Sequence, residues 1–179
     1  MRRAVFLDRD GVINRAEVRD GKPYPPASLK EMELLPGVPE ALHALKDAGF
    51  MLIVVTNQPD VARGTTSMAV VEEINNYLAG CLPIDEFRTC YHDSGDGCEC
   101  RKPLPGALIA AASQHEIDLS LSYMVGDRWR DVEAGQRAGC KTVFIDYGYH
   151  EKQPGQVDFR VKSLSEAAQI ICRIIGESE

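Results

Sequence analysis

Asp8 and Asp10, two carboxylates one residue apart with Gly11 directly behind them, are the residues of this sequence best suited to chemistry. They follow Ala4-Val5-Phe6-Leu7, an unbroken apolar run of the kind that forms a strand buried on both faces. Side chains alternate along a strand, so Asp8 and Asp10 set out on the same side. Carboxylates held that close repel unless a shared proton or a cation intervenes. Mg2+ suits them, because it takes hard oxygen ligands and combines one or two carboxylates with substrate phosphate. Gly11 frees the backbone to turn sharply and to approach a ligand.

Three later positions offer matching parts. Thr56, followed by Asn57, ends the apolar run Met51–Val55, and its hydroxyl with nearby backbone N–H groups suits a phosphate oxygen. Lys102, in Arg101-Lys102-Pro103, is a compact charge suited to phosphate or to a carboxylate nucleophile. Asp127 follows Gly126 at another strand end, with Asp131 four residues on. One acid would complete a Mg2+ site and the other would hold a metal-bound water or Lys102. Each alone has an ordinary structural explanation: a threonine bonding its own turn, a solvated lysine, an aspartate capping a helix. Three of the four stations lie at ends of expected strands, which gathers them at one edge of one sheet.

The cysteines tell a second story. Three of the six crowd into the eleven residues 90–100 and give Cys90-x-His92 and Cys98-x-Cys100. Three thiolates and one imidazole complete a tetrahedral structural Zn2+ site, with Asp93 or Asp96 as alternatives to His92. Such a closed site has no open position for chemistry. It pins the loop that leads into Arg101 and Lys102, and Cys81, Cys140 and Cys172 read as structural.

Positioning these residues takes strands alternating with helices. Helices are expected over about 39–48, 67–78, 105–115, 130–138 and 163–175, with Ser67 as a cap and Ser163-x-x-Glu166 as a capping box. Strands are expected over 4–7, 51–55, 86–91, 123–125, 142–145 and 158–161. The stretch Arg15–Leu35, with Gly21, Pro23, Pro25 and Pro26, reads as an irregular loop over the end of the first strand. The class is α/β: a single Rossmann-like domain over 1–179, its mainly parallel sheet flanked by helices, with a zinc-stabilised loop. The gaps between Asp10, Thr56 and Lys102 are too short for a cap domain.

Composition narrows the function. With 27 acidic against 20 Lys and Arg residues the net charge is −7, which opposes a sequence-independent grip on nucleic acid. No apolar run reaches the length of a membrane span, and four apolar residues after Arg2-Arg3 make no signal peptide. A cytoplasmic monomer acting on a small phosphorylated metabolite is expected.

Asp8–Gly11, Thr56, Lys102 and Gly126–Asp131 together resemble the phosphatases of the haloacid dehalogenase-like superfamily, over nearly the whole chain. The resemblance implies Asp8 as nucleophile and Asp10 as general acid and base. It implies Mg2+ held by Asp8, the Asp10 carbonyl and Asp127, with Thr56 and Lys102 binding the phosphoryl group. Asp-Arg-Asp-Gly, Thr-Asn-Gln, the cysteine loop and Cys-Arg-Lys-Pro look like the branch with heptose-1,7-bisphosphate and histidinol-phosphate phosphatases. That branch implies zinc at Cys90, His92, Cys98 and Cys100, and a sugar bisphosphate substrate ahead of histidinol phosphate; the fork-shaped guanidinium of Arg101, beside the reacting phosphate, suits a second phosphate or sugar hydroxyls. Pro59-Asp60 and the Arg15–Pro26 loop depart from the branch pattern. Of the rivals, a response-regulator receiver needs adjacent acids on its first strand and a phosphorylated Asp on a middle one, whereas Met51–Thr56 ends in Thr. A zinc-ribbon nucleic-acid module conflicts with the acidic charge.

Overall fold

The computed structural model of the chain describes residues 2–177. In chain order it builds β1 (Arg3–Leu7), β2 (Glu17–Arg19), β3 (Lys22–Tyr24), α1 (Val38–Asp47), β4 (Phe50–Asn57), α2 (Met68–Cys81) and β5 (Glu86–Cys90). Then come α3 (Gly106–His115), β6 (Tyr123–Gly126), α4 (Trp129–Ala138), β7 (Lys141–Ile145), β8 (Phe159–Val161) and α5 (Leu164–Gly176). Six strands form one sheet in the order β5-β4-β1-β6-β7-β8, and every pairing in it is parallel.

The apolar runs explain this sheet. Along β1, Val5 and Leu7 face one side and Ala4 and Phe6 the other, all fully buried. The first side packs with Leu52, Val54, Val125 and Val143 against α1, α2 and α5. The second packs with Ile53, Val55 and Met124 against Leu108 and Ala111 of α3 and Ala134 of α4. Two covered faces require strands without polar alternation, which is how these runs read. Each buried Val, Leu, Ile, Phe or Met side chain among them contributes roughly 1.5–3 kcal/mol, so the strand that carries Asp8 is firmly seated.

Helix ends follow local chemistry. The Ser67 hydroxyl accepts the Val70 N–H at 3.3 Å and starts α2. Gly139, at φ 88°, closes α4 by giving its N–H to Gln136. At α5 the Ser163 hydroxyl accepts the Glu166 N–H, but the Glu166 carboxylate reaches back to the N–H of Lys162, one residue before the box position.

The Arg15–Leu35 stretch corrects the expectation of an irregular loop. β2 and β3 form an antiparallel hairpin in which Arg19 faces Lys22, so the turn is Asp20-Gly21. Both turn residues have positive φ, 50° and 74°, the two-residue geometry that Asp-Gly favours. A short 3-10 turn follows at Leu29–Glu31.

With all six strands parallel, their carboxyl ends share one edge. The chain winds to opposite sides of β1, through β4 on one flank and β6 on the other, which opens a crevice beyond Asp8. At the adjoining edge Asn57 of β4 pairs with Cys90 of β5, so the cysteine loop starts beside this crevice.

Candidate active site

Asp8 leaves the end of β1 with its N–H still bonded to Val125 of β6 at 3.0 Å. Its carboxylate meets those of Asp127 and Asp131, and ligand oxygens of the three lie within 4.8 Å of one another. All three are buried. Two glycines make room for this. A Cβ on Gly11 would stand 2.0 Å from Asp127 Oδ2, at φ +89°, and one on Gly126 would stand 2.1 Å from the Asp131 Cβ. Arg128 rather than Asp127 is the N-cap of α4, and the Asp131 carboxylate accepts the Arg128 N–H at 3.0 Å.

Such a cluster is electrostatically unstable by itself. Burial and the neighbouring Asp131 push the Asp8 carboxyl up to about 6, against the pull of Lys102. Burial, then Asp8 and Asp131, push Asp127 well above the carboxylate range. Asp127 Oδ1 is buried with no hydrogen-bond partner among the described residues. Buried carboxylate oxygens that repel one another, one of them orphaned, suit a small divalent cation that combines one or two carboxylates with other oxygen ligands.

Lys102 supplies part of the compensation. Its Nζ reaches Asp8 Oδ1 at 2.8 Å, Asp131 Oδ1 at 2.7 Å and the Val55 carbonyl at 2.6 Å. Burial disfavours the ammonium, but Asp131 and Asp8 outweigh it and raise the lysine above its ordinary range. Asp131 therefore holds Lys102, one of the two roles open to it from sequence. Asn57 clamps the backbone of the same residue: its Oδ1 accepts the Lys102 N–H at 3.1 Å and its Nδ2 donates to the Lys102 carbonyl at 2.9 Å.

The carboxylate of Asp10 is not in the acidic group. Asn14 donates to its Oδ1 at 2.9 Å and Gln58 to its Oδ2 at 2.8 Å, while Arg9 pairs with it at 3.1 Å. Gln58 Nε2 also reaches the buried Thr56 hydroxyl at 2.9 Å. Arg9 is itself fully buried and donates to Asn75 on α2, which reaches Thr89 on β5. Sequence reasoning missed Arg9, Gln58 and Asn75. Arg9 and Gln58 stood within the Asp-Arg-Asp-Gly and Thr-Asn-Gln motifs without a role assigned to either, and Asn75 carried no signal.

Cys90, His92, Cys98 and Cys100 converge as the spacing predicts. Cys90 Sγ lies 3.5 Å from His92 Nδ1, 3.8 Å from Cys98 Sγ and 3.2 Å from Cys100 Sγ, and Cys100 Sγ lies 3.4 Å from His92. Ligands at Zn–S of about 2.3 Å on a tetrahedron stand about 3.8 Å apart, so the four fit one ion with little adjustment. Asp93 is committed elsewhere, accepting two hydrogen bonds from Arg63 at 2.8 and 2.7 Å. Burial and the neighbouring Cys100 push the Cys90 thiol up to about 12. A bound cation reverses this, since thiolates are the ligands.

A cavity of about 230 Å³ opens over Asp8, Asp10 and Lys102. Lys22, Arg63, Arg101, Arg128 and Arg130 line it, with Tyr24 and Pro25 of the hairpin segment forming one wall. Arg128 is paired with Glu151 at 3.1 Å, and Arg101 donates to the His92 carbonyl at 3.3 Å. Arg130 is held below its ordinary range by burial and by the charges of Arg128 and Arg101, a repulsion that an anion relieves. Beside the turn at Gly11, Tyr147 and Tyr149 reach in. They donate to the Gly11 carbonyl at 2.9 Å and to Asp127 Oδ2 at 2.8 Å.

Comparison with known proteins agrees with this geometry. The HAD-hydrolase-like family model matches residues 99–167. D-glycero-beta-D-manno-heptose-1,7-bisphosphate 7-phosphatase of Escherichia coli K12 is 37% identical over 94% of this chain and 93% of its own. That of Pasteurella multocida is 32% identical over 96% and 97%. The crystal structure of D,D-heptose 1,7-bisphosphate phosphatase from B. bronchiseptica, complexed with magnesium and phosphate, superposes with a TM-score of 0.78. It is 29% identical and covers 96% of this chain and 99% of its own. With identity above 30% across nearly the full length of both chains, the protein belongs to the haloacid dehalogenase-like phosphatases, in the family of the heptose-1,7-bisphosphate 7-phosphatases.

Proposed function

We propose that the chain is a Mg2+-dependent phosphatase whose preferred substrate is D-glycero-D-manno-heptose 1,7-bisphosphate, cleaved at the C7 phosphate. The observation that carries this is the juxtaposition of a lysine-gripped acidic cluster with a cavity rimmed by five cationic side chains. The relatives' names supply the sugar.

In this reading the Asp8 carboxylate attacks phosphorus, and the bond to the sugar oxygen breaks as Asp10 gives that oxygen its proton. Asp10 then takes a proton from water, which attacks the phosphoryl group on Asp8 and releases inorganic phosphate. Lys102 and the basic rim neutralise the equatorial oxygens, the main demand of phosphoryl transfer. Thr56 and Arg101 contact phosphate oxygens. Asn57, a further candidate for substrate binding, lines the same cavity and also fixes the backbone of Lys102. Asp8, Asp127 and the Asp10 carbonyl would hold the Mg2+, which supplies charge neutralisation for nucleophile and phosphoryl group. Cys90, His92, Cys98 and Cys100 would hold a structural Zn2+. Both packed faces belong to one sheet, which supports a single domain over 1–179.

The test is kcat/KM for the heptose bisphosphate against histidinol phosphate. The bisphosphate is expected to lead by about tenfold or more, about 1.4 kcal/mol of differential transition-state binding. Asp8→Asn is expected to abolish turnover of both while the variant stays folded. A preference for histidinol phosphate overturns the substrate, and near wild-type turnover by Asp8→Asn overturns the mechanism.

A further inference from the structure

Asp127 is 1% exposed and its two oxygens have different fates. Oδ1 has no partner among the described residues. Oδ2 lies against Gly11, where even a Cβ would come within 2.0 Å, and it accepts the Tyr149 hydroxyl at 2.8 Å. The phenol is 8% exposed, so no water competes freely for that oxygen. Tyr149 is braced in turn. Its ring stacks on Tyr147 at 5.5 Å and 30°, and Tyr147 donates to the Gly11 carbonyl at 2.9 Å. The next residue, His150, gives its N–H to Gly21 in the hairpin turn at 2.8 Å. The carboxylate is thus held from both sides of Oδ2 and can present only Oδ1.

We propose that Tyr149 is a positioning residue that locks the Asp127 carboxylate so that Oδ1 is presented to the divalent cation. This rests on the reading of Asp127 as a Mg2+ ligand. Ligating carboxylates are oriented by hydrogen bonds to their second oxygen, and losing such a partner typically lowers metal affinity about 10- to 100-fold. A residue that merely packs would affect stability and leave metal affinity alone.

The experiment measures Mn2+ binding calorimetrically to substrate-free wild type, Tyr149→Phe and Asp127→Asn, with melting temperatures taken in chelator. Tyr149→Phe removes one oxygen and keeps the ring. The expected result is a Kd about tenfold weaker for Tyr149→Phe, a matching rise in the Mg2+ concentration for half-maximal turnover, and a KM for phosphate ester at saturating Mg2+ that moves much less. A Kd within about threefold of wild type overturns the role of Tyr149, whatever the melting temperature does. Wild type that binds no Mn2+, or Asp127→Asn that binds it as tightly as wild type, overturns instead the metal site on which the inference rests.

Discussion

Asp8 is the residue in which function and stability pull hardest against each other. The nucleophile role proposed for it requires the ionised form, yet burial and Asp131 lift its carboxyl from an ordinary 3.8 to about 6. Between those values the folded chain keeps a proton that the unfolded chain has lost. The contribution of this group to stability is therefore full below about pH 4 and is lost as pH rises through about 6, an amount on the order of 3 kcal/mol. Asp127 is shifted in the same direction. The carboxylates held below their ordinary range by hydrogen bonds, such as Asp118 and Asp146, titrate below this window and do not mask it. Mg2+ should remove the fall, because it binds the ionised cluster only. Urea midpoints measured in chelator should drop between about pH 5 and about pH 7 and stay level in excess Mg2+. A midpoint that climbs with pH in chelator would sink the account of the cluster as mutually repelling carboxylates.

At the scale of elements, the loop from Cys90 to Lys102 joins the cluster of three cysteines and His92 to the acidic site, and the structure separates what each anchor does. Lys102 is held by Asp8, Asp131, Val55 and Asn57, none of them in the cysteine cluster. Arg101 and the Asp93 partner of Arg63 ride on the loop itself. Cys98→Ser, which breaks the four-ligand set, should therefore release zinc and raise KM by about tenfold while kcat falls less. Elemental analysis and steady-state kinetics on protein purified without added metal check this, and a selective collapse of kcat would show that the loop positions the reacting groups directly. Much at this scale was legible. Unbroken apolar runs gave the buried strands, Ser67 and Gly139 marked helix ends, and cysteine spacing announced the cluster. The hairpin was equally written in Asp20-Gly21, but Pro23, Pro25 and Pro26 pulled the reading towards irregular loop. Tyr147 and Tyr149, flanking Gly148 at a strand end, could be read as bordering the site, with packing as the commoner role, but their partners were not legible, nor were those of Gln58 and Arg9. Their roles depend on contacts such as Tyr147 to Gly11, between residues 136 positions apart, which only the assembled sheet creates.

Across the whole molecule, a net charge of −7 should repel a phosphorylated sugar, yet the cavity gathers Lys22, Arg63, Arg101, Arg128 and Arg130 around its mouth. Which field governs encounter depends on range. At about 0.1 M salt the Debye length is about 10 Å, so charges spread over the surface are screened at the mouth while the rim residues act at contact. The rim should win, because a cleft with low-dielectric walls concentrates the field of the charges that line it. Added NaCl at fixed Mg2+ is then expected to lower kcat/KM for the bisphosphate, and to lower it less for a small aryl monophosphate that carries half the anionic groups. Arg130 sits beside Arg128 and Arg101, over the Trp129 ring at 4.6 Å, and meets no carboxylate closely enough to form an ion pair among the described residues. Arg130→Ala should therefore flatten the salt dependence for the bisphosphate more than it slows the monophosphate. Stopped-flow or steady-state measurements at low substrate across a salt series decide the matter. A kcat/KM that rises with salt would mean that the acidic surface, not the basic rim, sets the approach of the substrate.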